Sequence, residues 1–144
     1  MIRPSALISV LFLGACASAP PPASGPDALR GCWIDRQSDG AATMRWFPDG
    51  DAWRGEAHFY REGGRDRQSV LRLERAGAGW RICTIVFDAP LAGSCAPAYF
   101  GAPASRPDEA WSEIYATADR LKMVAQKRGS SARTIIDASR DGCD

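Results

Sequence analysis

From Gly31 to Ala138 the chain is a train of short runs, each closed by a turn signal, and no stretch carries a sustained helical period. The runs are Gly31–Arg36, Thr43–Phe47, Ala52–Arg61, Gln68–Arg75, Trp80–Phe87, Ala96–Phe100, Trp111–Thr117, Arg120–Lys127 and Ala132–Ala138. Asp39-Gly40, Pro48-Asp49-Gly50, Gly63-Gly64, Gly77-Ala78-Gly79 and Arg128-Gly129-Ser130 punctuate them. Within the runs polarity alternates: Trp53, Gly55, Ala57 and Phe59 lie on one face, Arg54, Glu56, His58 and Tyr60 on the other. A period of two with one dry and one wet face is the pattern of a half-buried antiparallel strand. Trp80–Phe87 is apolar on both faces and is expected to be the most buried strand. Gly101–Glu109, with two prolines, is the longest loop and is placed across an opening.

Eight or nine successive strands with short connections leave two edges of unpaired backbone unless the sheet closes. The expected fold is therefore all-β, a small antiparallel up-and-down barrel of 8–9 strands, with a two-sheet sandwich as the alternative. A chain of 144 residues has room for one such domain. Five tryptophans, Trp33, Trp46, Trp53, Trp80 and Trp111, suit a small core that must gain buried area from few side chains. A subset, Trp53, Phe59 and Trp80, are the candidates for lining a pocket.

The amino terminus sets the expected address. An uncharged apolar run, Ala6–Leu13, follows Arg3 and is too short to cross a bilayer permanently. It ends in Leu13-Gly14-Ala15-Cys16, which resembles a bacterial lipoprotein lipobox. The resemblance implies a signal peptide over residues 1–15 and lipidation of the Cys16 thiol. Ala17, in place of Asp, implies forwarding to the outer membrane, with the domain facing the periplasm. Residues 16–28, rich in Pro and Ala, are expected to form a flexible tether reaching on the order of 20–30 Å at about 3.1 Å per residue. The folded domain is then 29–144. With Cys16 set aside, Cys32, Cys83, Cys95 and Cys143 remain. An even number in an exported domain of this size implies two disulfides, with three pairings open. Cys83 with Cys95 and Cys32 with Cys143 are favoured, the first joining neighbouring strands and the second the two ends. A four-cysteine metal site is the competing reading, and no C-x2-C pair supports it.

Leu29-Arg30-Gly31-Cys32-Trp33 places Gly-x-Trp on the first strand, and this is similar to the first-strand signature of the lipocalins and their lipocalin-like (calycin-type) relatives. Met44-Arg45-Trp46-Phe47, Trp53-Arg54-Gly55 and Leu71-Arg72-Leu73-Glu74 also resemble bacterial lipocalin-like domains. The resemblance implies that Trp33 packs across the closed end of the barrel. It further implies a covering basic residue from the last strand, for which Arg133 is taken and Arg140 is the alternative.

Composition narrows the function. A net charge of +1 supplies no field for nucleic acid. The one histidine, His58, has no nucleophile and orienting partner in view, and no Gly-x-Ser-x-Gly elbow or phosphate loop is present. Asp49 with Asp51, and Glu109 with Glu113, are read as solvated carboxylates rather than an acid–base pair. Arg61, Arg65 and Arg67 are read as a solvated hairpin tip, diluted by Glu62 and Asp66. The expectation is a monomeric, membrane-anchored, non-catalytic module without cofactor or metal that binds a small hydrophobic or amphiphilic ligand. The alternative is a protein-interaction module of the envelope, an assembly accessory or hydrolase inhibitor, with a filled barrel.

Overall fold

The computed structural model describes residues 25–64, 66–85, 93–101 and 108–143. The signal segment, Cys16, the tether up to residue 24, Arg65 and most of the Gly101–Glu109 stretch lie outside the described residues. Among the described residues a 3-10 turn, Pro26–Leu29, leads into nine strands: β1 (Gly31–Gln37), β2 (Gly40–Asp49), β3 (Ala52–Arg61), β4 (Arg67–Ala76), β5 (Gly79–Ile85), β6 (Cys95–Phe100), β7 (Trp111–Ala116), β8 (Arg120–Gln126) and β9 (Arg133–Asp141). They follow chain order around a closed barrel, and β9 pairs back onto β1. Closure, not a sandwich, is how this sheet removes its edges. The turn Pro26–Leu29 packs onto the barrel: Leu29 is fully buried and Ala28 lies against the core.

All joints among the described strands are antiparallel except β6·β7, which runs parallel from Ala98↔Ser112 to Phe100↔Ile114. Parity requires this departure from a purely up-and-down barrel. Reversing direction at every joint brings a closed sheet back into register only when the strand number is even, so nine strands leave one joint with neighbours running the same way. The most buried strand is β7, not β5. Ile85 on β5 is 44% exposed, at the end of the strand on the outer face next to cavity-lining Thr84, whereas Trp111 and Glu113 are buried on the side of β7 opposite Ile114 and Ala116. Glu113, expected in solvent, is 2% exposed; Glu109 is exposed and pairs with Arg128 at 2.8 Å.

The two ends of the barrel differ in the size of the inward side chains. At the end where β1 and β3 begin, Trp33, Trp46, Trp53, Leu73, Ile114 and Leu121 fill the interior. Burying an indole removes about 150–250 Å² from water, roughly 4–6 kcal/mol of transfer free energy before ordering entropy is subtracted. Gly55 makes the Trp46 indole possible, since a Cβ there would lie 2.8 Å from that ring. Disulfides Cys32–Cys143 and Cys83–Cys95 join β1 to the residues just past β9 and β5 to β6, the favoured pairing. The first locks a seam held by three facing pairs, Cys32↔Asp141 to Ile34↔Ser139.

Candidate functional site

The closed end is built around Gly31-Cys32-Trp33. Trp33 is 1% exposed and its Nε1 donates to the Leu29 carbonyl at 2.8 Å, so the one polar atom of the indole is satisfied by the turn that precedes β1. A guanidinium covers the ring with Cζ 4.0 Å from the centroid, and it belongs to Arg140. It also donates to the carbonyls of Arg30 at 2.6 Å and Ala118 at 2.5 Å. Arg133, taken from the sequence for this role, does not fill it. In the antiparallel β1·β9 pair Trp33 faces Arg140, and Arg133 lies seven residues back along β9, roughly 23 Å away at about 3.3 Å per residue. Gly31 is required beneath it: its φ is +114°, and a Cβ would stand 2.6 Å from Arg140 Nη1.

At the opposite end the inward residues are small. Ala42 of β2, Ala57 of β3, Ser69 of β4 and Thr84 of β5 occupy positions that carry indoles and leucines lower in the barrel, and a cavity of about 950 Å³ opens between them. Met44, Phe59 and Leu71 give it an apolar wall, and Gln37, Gln68, Ser69 and Thr84 add neutral polar groups. Around the mouth stand Arg61, Arg67 and Arg133, with Asp66 the one acidic residue of the lining. Three cations against one anion leave the lining at +2. Arg61 pairs with Asp39 at 3.2 Å. Among the described residues, no carboxylate comes within ion-pair distance of Arg67 or Arg133. Tyr60 and Ile135, 44% and 36% exposed, complete the rim.

The ligand-lining candidates from the sequence separate. Phe59 lines the cavity. Trp53 does not: it stands at the start of β3 within the closed-end core, with Arg30 Cζ 5.5 Å from its ring centroid. Trp80 is also absent from the cavity. It packs edge-to-face on Phe100, lies under Arg75 at 4.2 Å and borders a separate groove of about 380 Å³ with Ala98 and Tyr99. All three lie on the inward face of their strands, but which end is open decides which of them meets the cavity. Arg67 and Arg133 are the mouth residues that sequence reasoning misplaced. The available signal was the row of small inward residues, Ala42, Ala57 and Ser69, which marks the end that the core does not fill.

Outside the barrel, ion pairs lace neighbouring strands. Arg72 and Arg81 both bind Glu74, and Arg120 meets Asp137 through two hydrogen bonds, 2.8 and 2.7 Å. The Arg72 hydrogen bond, followed by that from Arg81, holds the Glu74 carboxyl below its usual range, and Arg120 does the same for Asp137. His58 lies on the outer face stacked against Tyr60 at 6.1 Å, while Glu56 beside it is taken by Arg54 at 3.0 Å. No protein-family model, no curated protein and no solved structure matches this chain.

Proposed function

We propose that the domain is a non-catalytic binding module that takes a small hydrophobic or amphiphilic molecule into the open end of its barrel. The observation that carries this is the cavity of about 950 Å³, which lies at the upper end of the roughly 300–1,000 Å³ typical of small-molecule sites. Indoles fill the other end of the barrel. Alanines at inward positions also argue for it: leucines there would extend the core at about 25 cal/mol per Å² buried.

The address belongs to the same proposal. The lipobox-like Leu13-Gly14-Ala15-Cys16 puts a lipid on Cys16 and the domain in the periplasm at the outer membrane, where two disulfides suit the oxidising environment. The lipocalin-like assignment rests on Gly31-Cys32-Trp33 and on the arginine from the last strand above that indole. Exposed Tyr60 and Ile135 at the rim favour one second reading, a partner protein seated over the mouth.

The test is binding of an environment-sensitive apolar fluorophore to the periplasmically expressed domain, with Ala57→Phe as the variant that fills the cavity. The expected result is saturable binding, lost in A57F while thermal stability is retained. Absence of saturable binding by the wild-type domain, with a cell crosslinking experiment capturing a protein on the rim, would move the assignment to the second reading.

A further inference from the structure

The cavity carries a polarity that its volume alone does not convey. Ten of the described arginines meet a carboxylate or an aromatic ring, as Arg54 meets Glu56 and Arg75 meets Trp80. The three that do neither are Arg36, Arg67 and Arg133. All three stand at the open end: Arg36 near the end of β1, Arg67 at the start of β4 and Arg133 at the start of β9. Arg67 and Arg133 line the cavity itself, from strands on opposite sides of the barrel. In a chain of net charge +1, carboxylates neutralise the wall and leave the mouth positive. Below that charged ring the wall turns apolar through Met44, Ala57, Phe59 and Leu71.

With the cavity read as a binding site, on which the selectivity depends, we infer that it selects single-chain amphiphiles with an anionic head. The head is held at the rim between Arg67 and Arg133, and the tail lies on Met44, Ala57, Phe59 and Leu71. A guanidinium offers paired N–H donors that match the two oxygens of a carboxylate or phosphate, and nothing in the apolar wall competes for that head. A cationic head would meet the guanidiniums of Arg67 and Arg133 and be repelled, and a neutral one would gain only from its tail.

Three probes with the same tail separate head from tail: dodecanoate, dodecyl maltoside and dodecyltrimethylammonium, each titrated calorimetrically into the domain below its micelle concentration. Dodecanoate is expected to bind roughly tenfold more tightly than the maltoside, with the ammonium weakest and the spread narrowing as salt screens the rim. In the double variant R67Q/R133Q the preference for dodecanoate should vanish while maltoside binding stays unchanged. Both side chains lie on exposed rim positions, so an unaltered melting temperature certifies the fold. Equal affinity for all three probes, or a preference that survives R67Q/R133Q, overturns the anionic selection and leaves the cavity reading intact. Failure of all three to bind overturns both.

Discussion

Removing the Arg140 side chain tests the account of the closed end most directly. Arg140 lies 4.0 Å over the Trp33 ring and donates to the carbonyls of Arg30 and Ala118. A cation–π contact is worth about 0.5–1 kcal/mol when exposed and about 2 when desolvated. Each hydrogen bond from a charged donor adds about 1.5–3 kcal/mol at best. Because Arg140 itself is exposed, each bond falls to about 0.75–1 kcal/mol, within the range of an ordinary net hydrogen bond, and with the cation–π contact at about 0.5–1 kcal/mol Arg140→Ala should cost about 2–3 kcal/mol. A domain of this size loses roughly 3–5 °C of Tm per kcal/mol, so the expected drop is on the order of 6–15 °C. Guanidinium unfolding followed by tryptophan fluorescence gives the free energy. Arg140→Lys should lose about half as much, since an ammonium keeps the charge above the ring but cannot span both carbonyls. Arg133→Ala is the control and should stay within about 0.5 kcal/mol of the parent, as an exposed residue far from Trp33. The reasoning fails if Arg140→Ala is as stable as the parent, or if Arg133→Ala destabilises as much.

Gly55→Ala should destabilise by about 1–3 kcal/mol, because its Cβ would press 2.8 Å from the Trp46 ring; the same unfolding assay reads it, and near-UV circular dichroism should report a displaced indole. Removing Cys32–Cys143, which closes 111 residues of sequence, should cost about 4–5 kcal/mol against about 3 for Cys83–Cys95, which closes 12; paired Cys→Ser variants in denaturant titrations give the order. Asp137 has a carboxyl held low in the folded state by Arg120, so its contribution is complete above the usual carboxylate range and is lost as pH falls through the lowered value. Arg120→Gln should therefore make stability less steeply acid-sensitive in that window, measured as Tm against pH.

The number and spacing of strands were legible because each run carries its own period and its own stop. Pro48-Asp49-Gly50, Gly63-Gly64 and Gly77-Ala78-Gly79 do separate β2, β3, β4 and β5. Local signals of this kind do not report the sense of a joint between strands that have no short turn between them, so the parallel β6·β7 pair was hidden. Burial on a second face was hidden for the same reason. Trp80–Phe87 reads as apolar on both sides, yet Ile85 is exposed on the outer face, while Trp111-Ser112-Glu113 reads as mixed and is buried throughout. The disulfide pairing was recoverable because Cys83–Cys95 joins consecutive strands and Cys32–Cys143 lies at the β1·β9 seam that closing the barrel creates. What no local pattern conveys is which end of the inward face is filled. Trp53 and Phe59 share that face on one strand, and only the global fit of indoles from β1, β2 and β3 puts Trp53 in the plug and Phe59 in the cavity.

The filled end also gathers the covalent and terminal constraints. The chain enters the barrel there through Pro26–Leu29, Cys32–Cys143 closes there, and the Leu29 and Arg30 carbonyls accept from Trp33 and Arg140. Toward the mouth the same seam thins: after Ile34↔Ser139 the next link between β1 and β9 is the Asp35 carboxylate, which accepts the Asp137 N–H at 3.2 Å. A side chain thus replaces a backbone ladder where the wall must widen around a cavity. Stability is therefore concentrated at one end and space is kept at the other, so side chains at the mouth can be exchanged without loosening the plug.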